Sequence, residues 1–320
     1  MADPVLVADD EPHAPWPKAP WPKVPWVESD LLQKRLDSVG ADEALRRFAN
    51  DLSENGAAII DLSDGPTLQL FDDAVRETDP YFRKGVARVQ DAWRRSEAVR
   101  RLATLPKVLA FLEAAYGRSP FPFQTLNFKH GSQQELHSDA FHFHSEPERF
   151  MCGVWFALED VRAEAGPLIY RRGSHRLPVL TPSALGLDGG RPSPSALRRY
   201  GPALTAQVDA AGAVPTSALL KKGEAVVWAA NLAHGGAPII DPSSTRRSLV
   251  VHYYFDNCLY HTPLRGSADG KRPSVRLPFH VETGGWVWPR KDGRRVAVRR
   301  RTLAVAIALR LLNRPLTFRN

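Results

Sequence analysis

Six short segments after residue 120 constrain the fold most. Each is rich in β-branched or aromatic residues and is bounded by Gly, Pro or Ser, a pattern typical of strands. They are FQTLNFKH, QELHSDAFHF, MCGVWFALEDV, PLIYRR, EAVVWAANLA and RSLVVHYYF. Several such strands in one stretch of chain predict an antiparallel β core such as a jelly roll.

Helical patterns lie before these strands, at about 28–38, 41–54, 66–78 and 92–116. The segment 181–220 interrupts the strands and contains one helical pattern, so we interpret it as an insertion. The predicted fold class is mainly β with flanking helices, and its core is a double-stranded β-helix.

The chain divides into three parts by composition. Residues 1–27 form a Pro/Trp-rich arm containing APWPKAPWPKVPW, and Pro at this density opposes both helix and central strand. Residues 28–265 form the main domain, and residues 266–320 form a basic extension expected to pack on it. No secretory signal is visible, and the two cysteines have no close partner, so we expect a cytoplasmic protein without disulfides.

Positive charge is concentrated at the C-terminus. Residues 290–320 hold ten basic residues and one acid, whereas the whole chain has a net charge of +8. We expect an acidic partner there: a phosphate-bearing substrate, a carrier protein or an anionic lipid surface. The alternative is a solvated face on a helix over 299–313, which would dock through Leu303, Ile307 and Leu311. No specific nucleic-acid partner is expected.

The segment QELHSDAFHF offers two competing pairs of metal ligands. On a strand, His137 and Asp139 share one face, whereas His142 and His144 share the other. The second pair resembles half of a cupin metal motif. That motif expects Gly where this chain has Leu136, and its second half expects a PxG turn that the chain lacks. The first pair is therefore favoured.

Two later motifs complete a pattern around the first pair. His234 ends an apolar strand 97 residues after His137. Two imidazoles and one carboxylate suit non-haem Fe(II) and leave positions open for a cosubstrate and O2. Twelve residues later, Arg246 and Ser248 share a strand face, where a guanidinium fork and a hydroxyl suit a carboxylate. Arg247, on the other face, is the alternative to Arg246.

The segments QELHSDAFHF, MCGVWFALEDVRAEAGPLIYRRGSHR, KKGEAVVWAANLAHGG and RRSLVVHYYF together resemble the phytanoyl-CoA dioxygenase family. The resemblance covers roughly residues 40–260. It implies an Fe(II)- and 2-oxoglutarate-dependent dioxygenase on a double-stranded β-helix. By this resemblance His137, Asp139 and His234 hold the iron, and Arg246 with Ser248 binds the distal carboxylate of 2-oxoglutarate.

Further positions follow from the same resemblance. Trp155 matches a tryptophan that lines the cosubstrate site, and Asn127 matches a position that contacts 2-oxoglutarate. Thr125 and Gln124 are weaker candidates on the same strand, and an ordinary core role is the alternative for Trp155 and Asn127. Because Asp139 is present, halogenation is not expected.

The expected activity is hydroxylation, or another oxidation, of a C–H bond in a small-molecule substrate of bacterial secondary or glycan metabolism. Fe(II), 2-oxoglutarate and O2 are the expected cofactor and cosubstrates. The insertion, with His142 and His144, is expected to shape the substrate pocket. An acyl-CoA substrate is one alternative, and a non-catalytic metal- or ligand-binding jelly-roll module is an alternative of another class.

Overall fold

A computed structural model describes residues 21–181, 183–185, 194–266, 273–312 and 315–319. Most of the N-terminal arm and part of the predicted insertion lie outside these residues. Within the described chain, no helix is long and apolar enough to cross a membrane.

Seven α-helices are described, and most lie before the strand-rich region. Asp42, Asp64 and Ser96 cap three of them, because each side chain accepts a hydrogen bond from a backbone N–H of the first turn. The helices are α1 (Leu32–Ser38), α2 (Glu43–Asn55), α3 (Gly65–Thr78), α4 (Glu97–Ala103), α5 (Pro106–Tyr116), α6 (Pro194–Ala210) and α7 (Arg300–Leu312).

The single helix predicted over 92–116 is wrong, because the structure divides it. A 3-10 turn over Ala92–Arg94 precedes α4, and α5 begins afresh at Pro106. Proline disfavours the helical conformation in the residue before it, and Leu105 accordingly has a ψ of 122°. The prediction missed this boundary because the apolar periodicity continues across it.

Seven strands form the large antiparallel sheet, in the order β1-β8-β5-β10-β3-β2-β14. A second sheet has the order β7-β6-β9, and two short pairs join β11 with β4 and β12 with β13. The strands are β1 (Ala57–Asp61), β2 (Val86–Gln90), β3 (Pro120–Phe128), β4 (His144–Glu146), β5 (Met151–Ala157), β6 (Leu168–Arg172), β7 (Val214–Ala218), β8 (Glu224–Ala229), β9 (His234–Gly236), β10 (Ser248–Phe255), β11 (Leu259–His261), β12 (Arg290–Lys291), β13 (Arg294–Arg295) and β14 (Leu316–Arg319).

The large sheet is buried on both faces. One face packs on the N-terminal helices, where Leu249, Val251 and Phe156 join the helical core. The other face carries Trp155 and Val250, which cluster with Leu168 of the second sheet. Two facing sheets with helices on the outside confirm the mainly β jelly-roll prediction.

The last residues of the predicted insertion 181–220 belong to the β core. The insertion contains α6, as expected, but β7 also falls within it. Residues Val214–Ala218 pair with β6 in the second sheet. The last residues of this segment are therefore part of the β framework.

The C-terminal extension also joins the framework. After α7, β14 pairs with β2 and becomes the edge strand of the large sheet. Helix α7 docks through Ala306 and Leu303, which cluster with Leu277 and Val298. Ile307 is 47% exposed, so its predicted docking role is wrong, and the side chain of Leu311 lies outside the described residues.

Candidate metal centre

The strand predicted over 134–143 is wrong, yet its two candidate ligands, His137 and Asp139, lie close together. His137 makes one antiparallel bridge with His234, in which each backbone N–H donates to the other residue's carbonyl at 2.8 Å. The chain then turns into a 3-10 helix that begins at Asp139. The bridge and the turn, rather than strand alternation, bring the two side chains to one point.

His137, Asp139 and His234 form a cluster that can hold a metal ion. One potential ligand atom from each residue lies within 4.8 Å of the other two. The His234 Nε2 atom lies 4.0 Å from Asp139 Oδ2, and the two imidazole rings are 4.3 Å apart between centroids. In the described part of the chain this is the one such cluster of three or more residues.

Hydrogen bonds place both histidines in the tautomer that a metal needs. The Nδ1 atom of His137 lies 2.9 Å from the carbonyl of Glu135, and that of His234 lies 2.9 Å from the carbonyl of Leu232. A carbonyl only accepts, so each Nδ1 donates and each Nε2 carries the lone pair that a metal binds; in His137 this lone pair accepts a hydrogen bond from the side-chain amide of Gln134 at 3.1 Å. Burial lowers the pKa of both histidines, that of His137 to about 4, so both rings are neutral.

Asp139 is ionised in this setting. Burial alone would raise its pKa, but electrostatic interactions with the imidazoles of His252, His234 and His137 and a hydrogen bond from Trp228 outweigh burial and lower the pKa to about 2. One carboxylate and two neutral imidazoles are the ligands of a non-haem Fe(II) site with open positions. The residues present therefore fit the implied metal.

Two residues that the sequence interpretation missed lie against this carboxylate, and one of them, Trp228, donates a hydrogen bond to it. The indole Nε1 of Trp228 donates to Asp139 Oδ2 at 2.8 Å, and His252 Nε2 lies 3.5 Å from the same oxygen. Gly153 is the partner of Trp228 in the neighbouring strand, and a Cβ there would lie 2.3 Å from the indole ring. Because Gly153 has no side chain, the indole of Trp228 can occupy this space.

Helix α6 supports the turn that carries the ligands. The hydroxyl of Tyr200 accepts a hydrogen bond from the backbone N–H of Ser138 at 3.0 Å. Its ring stacks on Phe141 with 4.0 Å between centroids. The Ser138 hydroxyl donates to Asn231 Oδ1 at 3.1 Å, which ties the turn to the segment before His234. Local sequence patterns carry no sign of the Tyr200 contact.

A second group of polar atoms lies on the inner face of the large sheet. Arg246 is 2% exposed, and its guanidinium carbon lies 5.2 Å from the ring centroid of Trp155 and 5.8 Å from that of Phe128. Its Nε atom and the Ser248 hydroxyl are buried without a hydrogen-bond partner among the described residues. Buried donors without partners fit a ligand that carries a carboxylate.

Arg247 lies on the opposite face. Its Nη1 atom binds the carboxylate of Asp79 at 2.7 Å, at the end of α3. Arg246, by contrast, has no carboxylate within ion-pair distance in the described chain. The arginine that stays available to an anion is therefore Arg246.

The register of β3 corrects two predicted cosubstrate contacts. Asn127 pairs with Leu249 and Thr125 with Val251, so both side chains face the helices rather than the inner face. Gln124 pairs with His252 on the inner face, and its amide oxygen accepts a hydrogen bond from His252 Nδ1 at 3.0 Å. Asn127 and Thr125 are thus placed away from a cosubstrate, whereas Gln124 lies beside the metal cluster.

The two remaining candidate histidines, His142 and His144, lie in different surroundings. Burial is the main cause that lowers the pKa of His142 to about 4, and the charges of His137 and Asp139 also act on it, so His142 lies beside the cluster. His144 lies in β4, where its Nε2 is 3.6 Å from Glu148 and its ring packs on His261. His144 is therefore engaged with that outer pair of strands.

The comparisons with known proteins agree with this geometry. Residues 43–248 match the family model for phytanoyl-CoA dioxygenase. No curated protein sequence matches the chain.

Three crystal structures show the same fold at low sequence identity. The non-heme alpha ketoglutarate dependent epimerase SnoN from nogalamycin biosynthesis has 22% identity and a TM-score of 0.54, over 80% of this chain and 96% of SnoN. The carbocyclase SnoK, from the same biosynthesis, has 18% identity and a TM-score of 0.54, over 68% and 86%. EctD from S. alaskensis, crystallised with bound Fe, has 16% identity and a TM-score of 0.53, over 81% and 89%.

Proposed function

The chain belongs to the phytanoyl-CoA dioxygenase family, whose members are iron- and 2-oxoglutarate-dependent oxygenases, and from this premise we propose that it hydroxylates a C–H bond of a small-molecule substrate. The observation that carries the proposal is the close approach of His137, Asp139 and His234, on the same side of the sheet as a buried Arg246 whose Nε has no hydrogen-bond partner among the described residues. A metal-binding cluster and an anion-binding group on one sheet face are what such an oxygenase requires.

His137, Asp139 and His234 would hold Fe(II). The backbone carbonyls behind the two imidazoles fix their orientation, and Trp228 fixes that of the carboxylate. Hydrogen bonds of this kind increase metal affinity because the ligands are already oriented before the ion arrives.

Arg246 and Ser248 would bind the distal carboxylate of 2-oxoglutarate. Burial lowers the pKa of Arg246 to about 10, which still leaves the guanidinium charged at neutral pH. Trp155 and Phe128 surround the guanidinium and exclude water, which strengthens its interaction with an anion. Iron with bound 2-oxoglutarate supplies the chemistry that uses O2 to oxidise a C–H bond, and the protein orients the reactants.

Two histidines are candidates for contact with the substrate. His142 lies beside the metal cluster and is a candidate substrate contact, whereas the ring contacts of His144 leave it a weaker one. A role in bacterial secondary or glycan metabolism stays a prediction, as does a cytoplasmic location, with which the free buried Cys152 and Cys258 agree. An acyl-CoA substrate, or an acidic partner near the exposed start of α7, is an alternative that rests on charge alone.

Anaerobic titration with Fe(II) and 2-oxoglutarate tests the proposal. The complex of all three components should show a weak visible charge-transfer band. His137→Ala, Asp139→Ala and His234→Ala should each abolish the band and O2-dependent succinate formation, whereas His142→Ala should keep the band. A band lost in His142→Ala but kept in His137→Ala would favour the cupin arrangement. Absence of any band in the wild type would favour a non-catalytic module.

A further inference from the structure

An arginine from the C-terminal extension lies among aromatic side chains close to the metal cluster. The guanidinium carbon of Arg276 is 4.8 Å from the ring centroid of Phe143 and 5.9 Å from that of Phe123. Its Nη1 atom donates to the hydroxyl of Thr262 at 3.1 Å. Its Nε atom is buried and has no hydrogen-bond partner in the described chain.

A short chain of contacts connects this arginine to the metal ligands. The Phe143 ring lies 5.1 Å from the His252 ring between centroids, and His252 Nε2 lies 3.5 Å from Asp139 Oδ2. Arg276 therefore faces the same space as the metal cluster.

The charge of Arg276 is not balanced by the protein around it. Among the described residues no carboxylate forms an ion pair with it; its contacts are two phenyl rings and one hydroxyl. A partly buried guanidinium without an anion costs free energy, because the charge has lost part of its hydration. Cation–π contacts offset some of this cost, but they leave the Nε donor unused.

A second unused polar atom lies nearby. The Tyr254 hydroxyl is buried without a hydrogen-bond partner in the described chain, and its ring stacks on Phe123 with 4.1 Å between centroids. Burial raises the pKa of the Tyr254 hydroxyl, and the charge of Arg276 opposes this effect only in part. The hydroxyl therefore stays protonated and can donate to an anionic oxygen.

We propose that Arg276 and the Tyr254 hydroxyl bind an anionic oxygen group, a carboxylate or a phosphate, of a substrate whose apolar body lies against Phe123 and Phe143. This assignment rests on the proposed function, since the bound group would lie beside the metal cluster. It is a second anion site, because the arginine assigned to 2-oxoglutarate, Arg246, packs on Phe128 and Trp155 instead. The substrate class is thus an apolar acid or phosphate ester.

Paramagnetic relaxation tests the site without knowledge of the natural substrate. The full-length protein is loaded with Mn(II) in place of Fe(II) and with saturating 2-oxoglutarate, and binding of both is measured first. Benzoate, phenyl phosphate and benzamide are then added separately, and the relaxation rates of their ring protons are recorded. If Mn(II) and 2-oxoglutarate do not bind, the proposed function itself fails, independently of Arg276.

If the proposal is correct, the ring protons of benzoate or phenyl phosphate relax faster, whereas those of neutral benzamide do not. The anion with the larger effect shows whether the site prefers a carboxylate or a phosphate. Arg276→Met should weaken anion binding roughly 10- to 100-fold, because a charge-assisted contact is lost, and should leave 2-oxoglutarate binding unchanged. Arg94→Met is the matched control, since Arg94 stacks on Trp93 and Phe279 instead. Equal behaviour of anions and benzamide, no effect from any probe, or unchanged binding in Arg276→Met would overturn the proposal.

Discussion

At the residue scale, adjacent side chains of one strand have opposite roles. Arg246 is directed into the space between the sheets, whereas Arg247 is directed outward to Asp79. The two arginines are identical in chemistry, so only the face of the strand distinguishes them. This makes them a matched pair for mutation.

Replacing Arg246 with Leu should raise the 2-oxoglutarate concentration required for turnover roughly 30- to 150-fold, because a charge-assisted bidentate contact is lost. Fe(II) affinity should change little. Arg247→Leu removes the ion pair with Asp79 and should leave the 2-oxoglutarate requirement within about twofold, since exposed pairs contribute little free energy. Succinate release as a function of 2-oxoglutarate concentration measures both, and equal effects would contradict the assigned strand faces.

Trp228→Phe should weaken Fe(II) binding about 10-fold, because the ring remains but the N–H that orients Asp139 is lost. Trp93→Phe is the control: its indole Nε1 also donates to an aspartate, Asp91, at 3.3 Å, but that aspartate is not part of the metal cluster. Anaerobic Fe(II) titration provides the measurement. Similar iron affinities in the two variants would show that the Trp228 bond does not orient the ligand.

At the element scale, the turn after β6 locks the N-terminal helices to the second sheet. His175 lies in a 3-10 turn there and is 1% exposed. Its Nε2 atom lies 3.1 Å from the carbonyl of Ser53 in α2. Gly56, with a φ of 75°, ends α2 directly against the His175 ring, where a Cβ would lie 2.4 Å away. This histidine therefore has a structural role.

His175 should make stability depend on pH. Burial, followed by smaller effects that include the nearby charges of Arg176 and Arg149, lowers its pKa from 6.5 to about 4 in the folded protein. Between these two values the unfolded chain binds the proton and the folded chain does not, so stability falls as the pH decreases. The contribution to the free energy of unfolding is about 2 kcal/mol between pH 7 and pH 5.

Urea unfolding of the wild type and of His175→Gln at both pH values tests this expectation. The substitution should reduce the difference between pH 7 and pH 5 by about that amount, whatever it does to stability at pH 7. Other buried histidines remain in the variant, so part of the pH dependence should persist. An unchanged difference would mean that His175 is already protonated, or is accessible to water, in the folded state.

At the scale of the whole molecule, the C-terminal extension is joined to the rest of the protein through the large sheet. Strand β14 pairs with β2, and the guanidinium carbon of Arg88 lies 4.6 Å from the ring centroid of Phe318 across that pair. The basic extension therefore completes the β core in addition to carrying charge.

Deleting residues 315–320 should lower the free energy of unfolding by on the order of 2–4 kcal/mol, because several strand hydrogen bonds and the Phe318 contact are lost. The exposed edge of β2 should also promote self-association at high protein concentration. Deletion of Asn320 alone is the control. Urea unfolding and light scattering measure the two effects, and a fully stable, monomeric truncated protein would contradict a structural role for β14.

Local patterns in the sequence determined five of the six predicted strand segments, the jelly-roll class and the residue types of the candidate metal cluster. These features depend on alternation, capping and short motifs, which act over a few neighbouring residues. The faces of Arg246 and Arg247 followed from alternation in the same way. Alternation along β3 also places Gln124 on the opposite face of the sheet from Thr125 and Asn127. Strict use of alternation would therefore have removed Thr125 and Asn127 from the predicted cosubstrate contacts.

Only the tertiary structure decided which distant residues complete the site. The contacts that do so join segments far apart in the chain. They are the bridge between His137 and His234, the hydrogen bond of Trp228 with Asp139, that of Tyr200 with Ser138, and the approach of Arg276 to Phe143. In the Tyr200 contact the backbone N–H of Ser138 donates and the Tyr200 hydroxyl accepts. Such contacts depend on how strands pair and how helices pack over the sheets. Sequence periodicity specifies the face of an element but not its partner, because partner choice is set by packing of the whole chain.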